Sequence, residues 1–139
     1  NPDGEHLPIT SLDRFEEQYR QMITKVRELG SKPVLLSLPP IIADRYFEMF
    51  TRAMDTTRRS NVMRWLDGCV ENITQWHEMY NLRLFKLASS LTVPIIDITT
   101  PFLFERNYRE MFCADGIHPN AQGHQLIADA ICNVAAKHL

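Results

Sequence analysis

Asp115 and His118 stand three residues apart in the run Asp115-Gly-Ile-His118-Pro-Asn-Ala-Gln-Gly123-His124. On a turn, that spacing lets a carboxylate accept the imidazole N–H. Such a bond fixes the tautomer and stabilises the imidazolium formed when the histidine takes a proton. The pair is therefore a candidate general base with its orienting acid. The same spacing also suits a helix-capping loop closed by a surface ion pair. A third use is metal binding by Asp115, His118 and His124. That is the weakest, because hydrolytic zinc sites use characteristic spacings and H-E-x-x-H is absent. His77-Glu78 begins that pattern, but Asn81 ends it.

The elements around the loop decide what it can do. Gly116 lets it turn tightly, Pro119 stiffens its exit, and Asn120 is a natural helix cap. A helix over about Asn120–Lys137 follows, with Leu126, Ile127, Ala130, Ile131, Val134 and Ala135 as its apolar stripe. Upstream, Thr10 is expected to cap a helix with Asp13 as capping-box acid. Apolar residues from Leu12 to Leu29 recur at threes and fours, and Gly30 closes that helix. Pro33–Leu38 and Val93–Ile98 are short apolar runs of the kind found in buried parallel strands. Residues 42–54 suggest a helix and Asp55–Ser60 a polar break. Asn61–Ser90 suggests one long helix, bent at Gly68, with Trp65 and Trp76 on one face. Residues 99–112 are aromatic and irregular or partly helical. The aromatics at 46–50 and 102–112 suit core packing between helices; an acyl or sugar pocket, or a lid, is the alternative.

This order of helices and strands predicts a parallel α/β sheet with crossover helices. Two strands alone make a marginal sheet, so further strands are expected from elsewhere.

The run D-G-I-H-P-N-A-Q-G-H before an apolar helix resembles the last block of the SGNH (GDSL-type) esterases and lipases. The family's order of elements resembles the rest of the chain. The resemblance implies a three-layer α/β/α flavodoxin-like fold, of which residues 1–139 would be the C-terminal portion of one domain. It implies a carboxylic-ester hydrolase with a Ser-His-Asp triad, His118 as base and Asp115 as its acid, and no cofactor or metal. Asn1 would correspond to the oxyanion-hole Asn of the family's G-x-N-D block, although Pro2 replaces the usual Asp and the preceding Gly is absent. The nucleophile block G-D-S is also absent, and none of the six serines stands in a suitable elbow. Cys113 shows no sign of an activated thiol. The serine is therefore expected outside these residues, in a missing N-terminal part or a companion chain. The rival reading is a non-catalytic scaffold fragment serving as an interaction module.

Composition narrows the remaining classes. Fifteen basic residues against seventeen acidic ones give a net charge of −2, without the basic excess of a nucleic-acid binder. Arg58-Arg59, with Arg52 and Arg64, suits a solvated helix face. No apolar run is long enough to span a membrane. Five scattered glycines form no dinucleotide or phosphate loop, which leaves a nucleotide-binding α/β domain without support. The odd count of cysteines (Cys69, Cys113 and Cys132) fits a reducing, cytoplasmic setting better than a disulfide framework. The sequon at Asn72-Ile-Thr74 falls within a helical pattern and is read as chance. The ester could be a carbohydrate, lipid or other small-molecule one; the residues do not choose. With 45% hydrophobic residues and no initiator Met, the chain is expected to be the C-terminal portion of a domain of roughly 200 residues, one that alone exposes an apolar sheet edge and folds poorly unless something completes it.

Overall fold

The computed structural model describes residues 9–138. Helix α1 (Leu12–Glu28) leads into strand β1 (Leu35–Leu36). Three helices follow: α2 (Ala43–Thr51), α3 (Thr56–Trp65) and α4 (Asn72–Leu91). Strand β2 (Ile95–Ile96), helix α5 (Thr99–Phe104), a 3-10 turn (Tyr108–Met111) and helix α6 (Ala121–His138) complete the chain. The strands are parallel, with Leu35 opposite Ile95 and Leu36 opposite Ile96. The α/β character expected from sequence is present. Among the described residues the sheet has these two strands alone.

Leu35, Ile23, Leu87, Ala88 and Val93 form a core that binds α1 and α4 to the strands. Side chains alternate along a strand, so Leu36 points the other way. It is 41% exposed, and neighbouring Val34 is 53% exposed. A second core joins α2, α3 and α4 through Phe47, Val62, Leu66 and Ile73. A third joins Ile42, Phe102 and Phe112 to Leu126 and Ile127 of α6. All six residues of the α6 stripe are only half-buried.

A buried polar knot holds the carboxyl ends of the two strands together. The Ser37 hydroxyl, 2% exposed, accepts the N–H groups of Ile98 (2.8 Å) and Thr99 (3.0 Å). The Thr99 hydroxyl donates to the Leu38 carbonyl at 2.6 Å. The Asn81 carbonyl oxygen accepts the Leu38 N–H at 2.8 Å, and its amide donates to the Thr99 hydroxyl at 3.1 Å. Asp97 accepts the N–H groups of Thr99 and Thr100, both at 2.9 Å, at the start of α5. Burial raises the Asp97 carboxyl, but the Thr100 hydroxyl and these N–H groups outweigh it and hold the pKa below the usual value.

Several expectations are corrected. Ser11, not Thr10, caps α1, accepting the Arg14 N–H; the helix begins one residue later, and Asp13 pairs with Arg83 at 3.4 Å instead. Residues 55–60 are not a break: Asp55 accepts the Arg58 N–H at 2.8 Å and caps α3. That helix reads as polar because few of its residues face the core, Val62 foremost. The long helix expected over 61–90 is two. Asp67 (φ 51°) and Gly68 (φ 73°) take left-handed backbone in succession, which no helix continues through. Trp65 and Trp76 thus lie on different helices, yet their rings stack with centroids 5.4 Å apart. The Asn72 amide donates to the Leu66 carbonyl at 2.8 Å and closes this turn.

Ser37→Ala should leave the buried Ile98 N–H unpaired, while Asp97 still accepts from Thr99, and lower stability by about 1–3 kcal/mol. The shift of the urea unfolding midpoint, measured on the longest folded protein carrying this chain, checks it.

Candidate active site

The loop at 113–119 is closed at its base and therefore rigid. Phe112 bridges Pro119 in antiparallel fashion, and the Cys113 N–H donates to the His118 carbonyl at 2.8 Å. Asn120 does three jobs. Its N–H donates to the Met111 carbonyl (2.9 Å), and its amide donates to the Glu110 carbonyl (2.6 Å). Its side-chain oxygen accepts the N–H groups of Gln122 (3.0 Å) and Gly123 (3.2 Å), capping α6 as expected.

Within that frame the Asp115 carboxylate organises the turn. One oxygen accepts the N–H groups of Ile117 (3.0 Å) and His118 (3.1 Å). The other lies 2.6 Å from His118 Nδ1. The His118 hydrogen bond, followed by the two backbone N–H groups, lowers the Asp115 pKa to about 2. An ionised carboxylate only accepts, so Nδ1 carries a proton; in the neutral ring Nε2 then presents its lone pair. The imidazole is 72% exposed, and Nε2 meets no partner among the described residues.

The structure brings together Asp115 and His118, with Cys113 at the base of the same loop. Asn1 lies outside the described residues. His124 is an exposed residue of α6. Among the described residues no three His, Cys, Asp or Glu side chains are arranged to hold a metal ion. Cys113 is exposed, its sulfur 3.9 Å from the Pro119 carbonyl. Ser37 is locked in the polar knot, Ser11 caps α1, and the Ser90 hydroxyl donates to the Leu87 carbonyl.

The family model described as GDSL-like lipase/acylhydrolase matches residues 7–126. This chain belongs to the GDSL-like lipase/acylhydrolase family. No curated relative matches the sequence. Among solved structures, a GDSL-like lipase from Bacteroides thetaiotaomicron superposes with a TM-score of 0.63 at 18% identity, over 98% of this chain and 58% of its own. An acetylxylan esterase from Geobacillus stearothermophilus gives 0.62 at 16% identity, over 94% and 52%. The esterase domain of a zebrafish retrotransposon ORF1 protein gives 0.56 at 16% identity, over 93% and 61%. At such identities the likeness is one of fold. The chain spans little more than half the length of these structures.

In this member of the family two glycines set the loop's position by close approach. Gly116 has φ +77°, and a Cβ there would lie 2.5 Å from the Ile42 carbonyl oxygen and 2.8 Å from the Tyr46 nitrogen. Its own carbonyl accepts the Ile42 N–H at 2.8 Å. The loop thus rests on the first turn of α2, just beyond the carboxyl end of β1. A Cβ on Gly123 would lie 2.5 Å from the Met111 carbonyl oxygen, so α6 can start only this close to the 3-10 turn with glycine there. Arg45 adds a strut by donating to the Arg109 carbonyl at 2.9 Å, and Arg109 pairs with Asp44 at 2.7 Å. Sequence reasoning had seen Gly116 as a turn and missed Gly123 and Arg45. Close approaches between distant segments leave no periodic signal.

Gly116→Ala combines a left-handed backbone with a clash and should cost about 2–4 kcal/mol, read from the thermal midpoint. The pH dependence has a definite sign. The Asp115 pKa is depressed on folding, so the stability it lends is complete above the ordinary carboxylate value of about 3.9. It is lost as pH falls from there through about 2. Asp115→Asn should flatten the acid limb of unfolding midpoint against pH in that window.

Proposed function

We propose that this chain is the C-terminal portion of a carboxylic-ester hydrolase domain of three-layer α/β/α form, with a Ser-His-Asp triad completed by a serine outside these residues. Its observation is the 2.6 Å bond between Asp115 and His118 on a braced loop, with Nε2 left open to solvent. His118 takes the proton of the serine hydroxyl as it attacks the ester carbonyl. It then returns the proton to the leaving alcohol and repeats the cycle with water. Asp115 holds the Nδ1–H tautomer and stabilises the imidazolium. Asn1 supplies an oxyanion donor; such donors are worth about 3–4 kcal/mol each. The mechanism requires no metal or cofactor. The substrate is a carbohydrate, lipid or other small-molecule ester, in keeping with the esterases and lipase of similar fold.

The exposed Val34 and Leu36 support a sheet that continues in the missing N-terminal part or a companion chain. No helix among the described residues is long and apolar enough to cross a membrane.

The test uses the full-length protein. A serine-directed phosphonate should label it, and short p-nitrophenyl esters should be hydrolysed. His118→Ala should abolish labelling and lower kcat by ~10⁴-fold or more. Absence of both labelling and turnover in the unaltered protein refutes the reading and favours the non-catalytic scaffold. The isolated 139-residue chain should show no triad-dependent turnover, a result that mutation of its own serines would leave unchanged.

A further inference from the structure

The Asp115–His118 bond orients the ring within its loop, but it does not place the loop against the sheet. Contacts with α2 do that, and they are of two kinds. On one side Ile117 joins Tyr46 and Phe50 around a cavity of about 580 Å³ between α2, α3 and α4. Apolar contact of this kind is non-directional, so it holds a loop near a surface without fixing its register. On the other side the contacts are hydrogen bonds, and hydrogen bonds have direction.

Arg45 stands in the first turn of α2. One guanidinium nitrogen donates to the Arg109 carbonyl at 2.9 Å and to the Phe112 carbonyl at 3.3 Å. Both carbonyls lie just before the dyad loop. The bridge that closes the loop uses the Met111 carbonyl and the Cys113 N–H, so the Phe112 carbonyl between them is left for Arg45. The Arg109 side chain returns to Asp44 at 2.7 and 2.9 Å. The side chains of that ion pair are 48% and 56% exposed, and such a pair contributes little by itself. Arg45 is half-buried, and its charge strengthens both of its bonds. With the Ile42 N–H on the Gly116 carbonyl, residues 42, 44 and 45 hold the chain at 109, 112 and 116. Helix α2 is the first element after β1, so this anchorage runs from the sheet, through one helical turn, to the loop.

Resting on the esterase reading above, we propose that Arg45 is a positioning residue, which sets the distance between His118 and a nucleophile carried on another segment. It touches neither the substrate nor the imidazole. It acts on the backbone that carries the dyad, and the Asp115–His118 bond persists without it because both partners belong to one turn. Loss of Arg45 therefore leaves the base intact and misplaces it. A misplacement of about 1 Å is enough to cost about 10²-fold in rate.

The full-length protein is assayed with p-nitrophenyl acetate and with a serine-directed phosphonate. Arg45→Met keeps the stem and removes the donors. It should lower kcat by about 10²-fold with KM within about twofold, and slow labelling by a similar factor. The acid limb of kcat/KM against pH, which reports the base of the free enzyme, should stay where it is. Arg45→Lys retains one charged donor and should fall between Arg45→Met and the unaltered protein. Circular dichroism and thermal midpoints confirm that the variants fold, and the milder Arg45→Lys carries the test where Arg45→Met does not. A kcat that neither variant lowers overturns the proposal. So does a displaced acid limb, which would make Arg45 an electrostatic partner of the base, or a raised KM at constant kcat, which would make it a substrate contact. In each of those cases the esterase stands. An unaltered protein that neither turns over nor labels defeats the esterase reading, and this one with it.

Discussion

The Ser37 hydroxyl is where the ends of the two strands and the start of α5 meet. It accepts two backbone N–H groups that follow β2, while its own residue follows β1. Asn81 reaches from α4 to the next residue of the same turn. Parallel strands diverge at their carboxyl ends once the ladder stops, and their last N–H groups then need partners. Here the ladder is two residues long, so side chains supply most of those partners. With Ser37, Asn81 and Thr99 buried, each group is costly to leave unpaired, and the knot has little freedom to slip. The chain therefore leaves β1 at a fixed point, and α2 starts where the Gly116 carbonyl can accept from Ile42.

That fixed point carries the dyad. The Asp115–His118 contact is local, but its place in the molecule depends on two backbone-to-backbone approaches that only glycine permits. At Gly116 the loop touches α2; at Gly123 helix α6 touches the 3-10 turn. Asp115 accepts three hydrogen bonds within its own turn, which keeps it ionised and keeps a proton on His118 Nδ1. Of the pair, the ring is the more exposed, at 72% against 28% for the carboxylate side chain.

The aromatic residues divided between two roles that their sequence could not separate. Phe102 and Phe112 are buried and pack against each other with centroids 5.1 Å apart, beneath α6. Tyr46 and Phe50 pack against the core of α2, α3 and α4 and also line the cavity. Both kinds occur in apolar stripes of similar spacing. Whether a stripe closes on a neighbour or leaves a space depends on where the turn at Asp67 and Gly68 sends α4, and on how Trp65 and Trp76 stack across it.

By itself the sequence determined the local features. It marked the loop with its Asp115–His118 pair, the Asn120 cap, the Gly30 terminator, the two apolar strand cores, and the family to which the final block belongs. Each depends on residues within a few positions of one another, where spacing and chemical type carry the information. It misplaced the start of α1 by one residue and ran α3 and α4 together. It also took the polar start of α3 for a break, because a helix with one narrow buried edge has almost no periodic signal. Tertiary structure alone decided the Ser37 knot, the close approaches at Gly116 and Gly123, and the cavity beside Ile117. Most of these join residues far apart in the sequence, 61 and 62 positions for the two N–H groups on Ser37, and a contact across such a distance exists only once both segments have been folded against a common core.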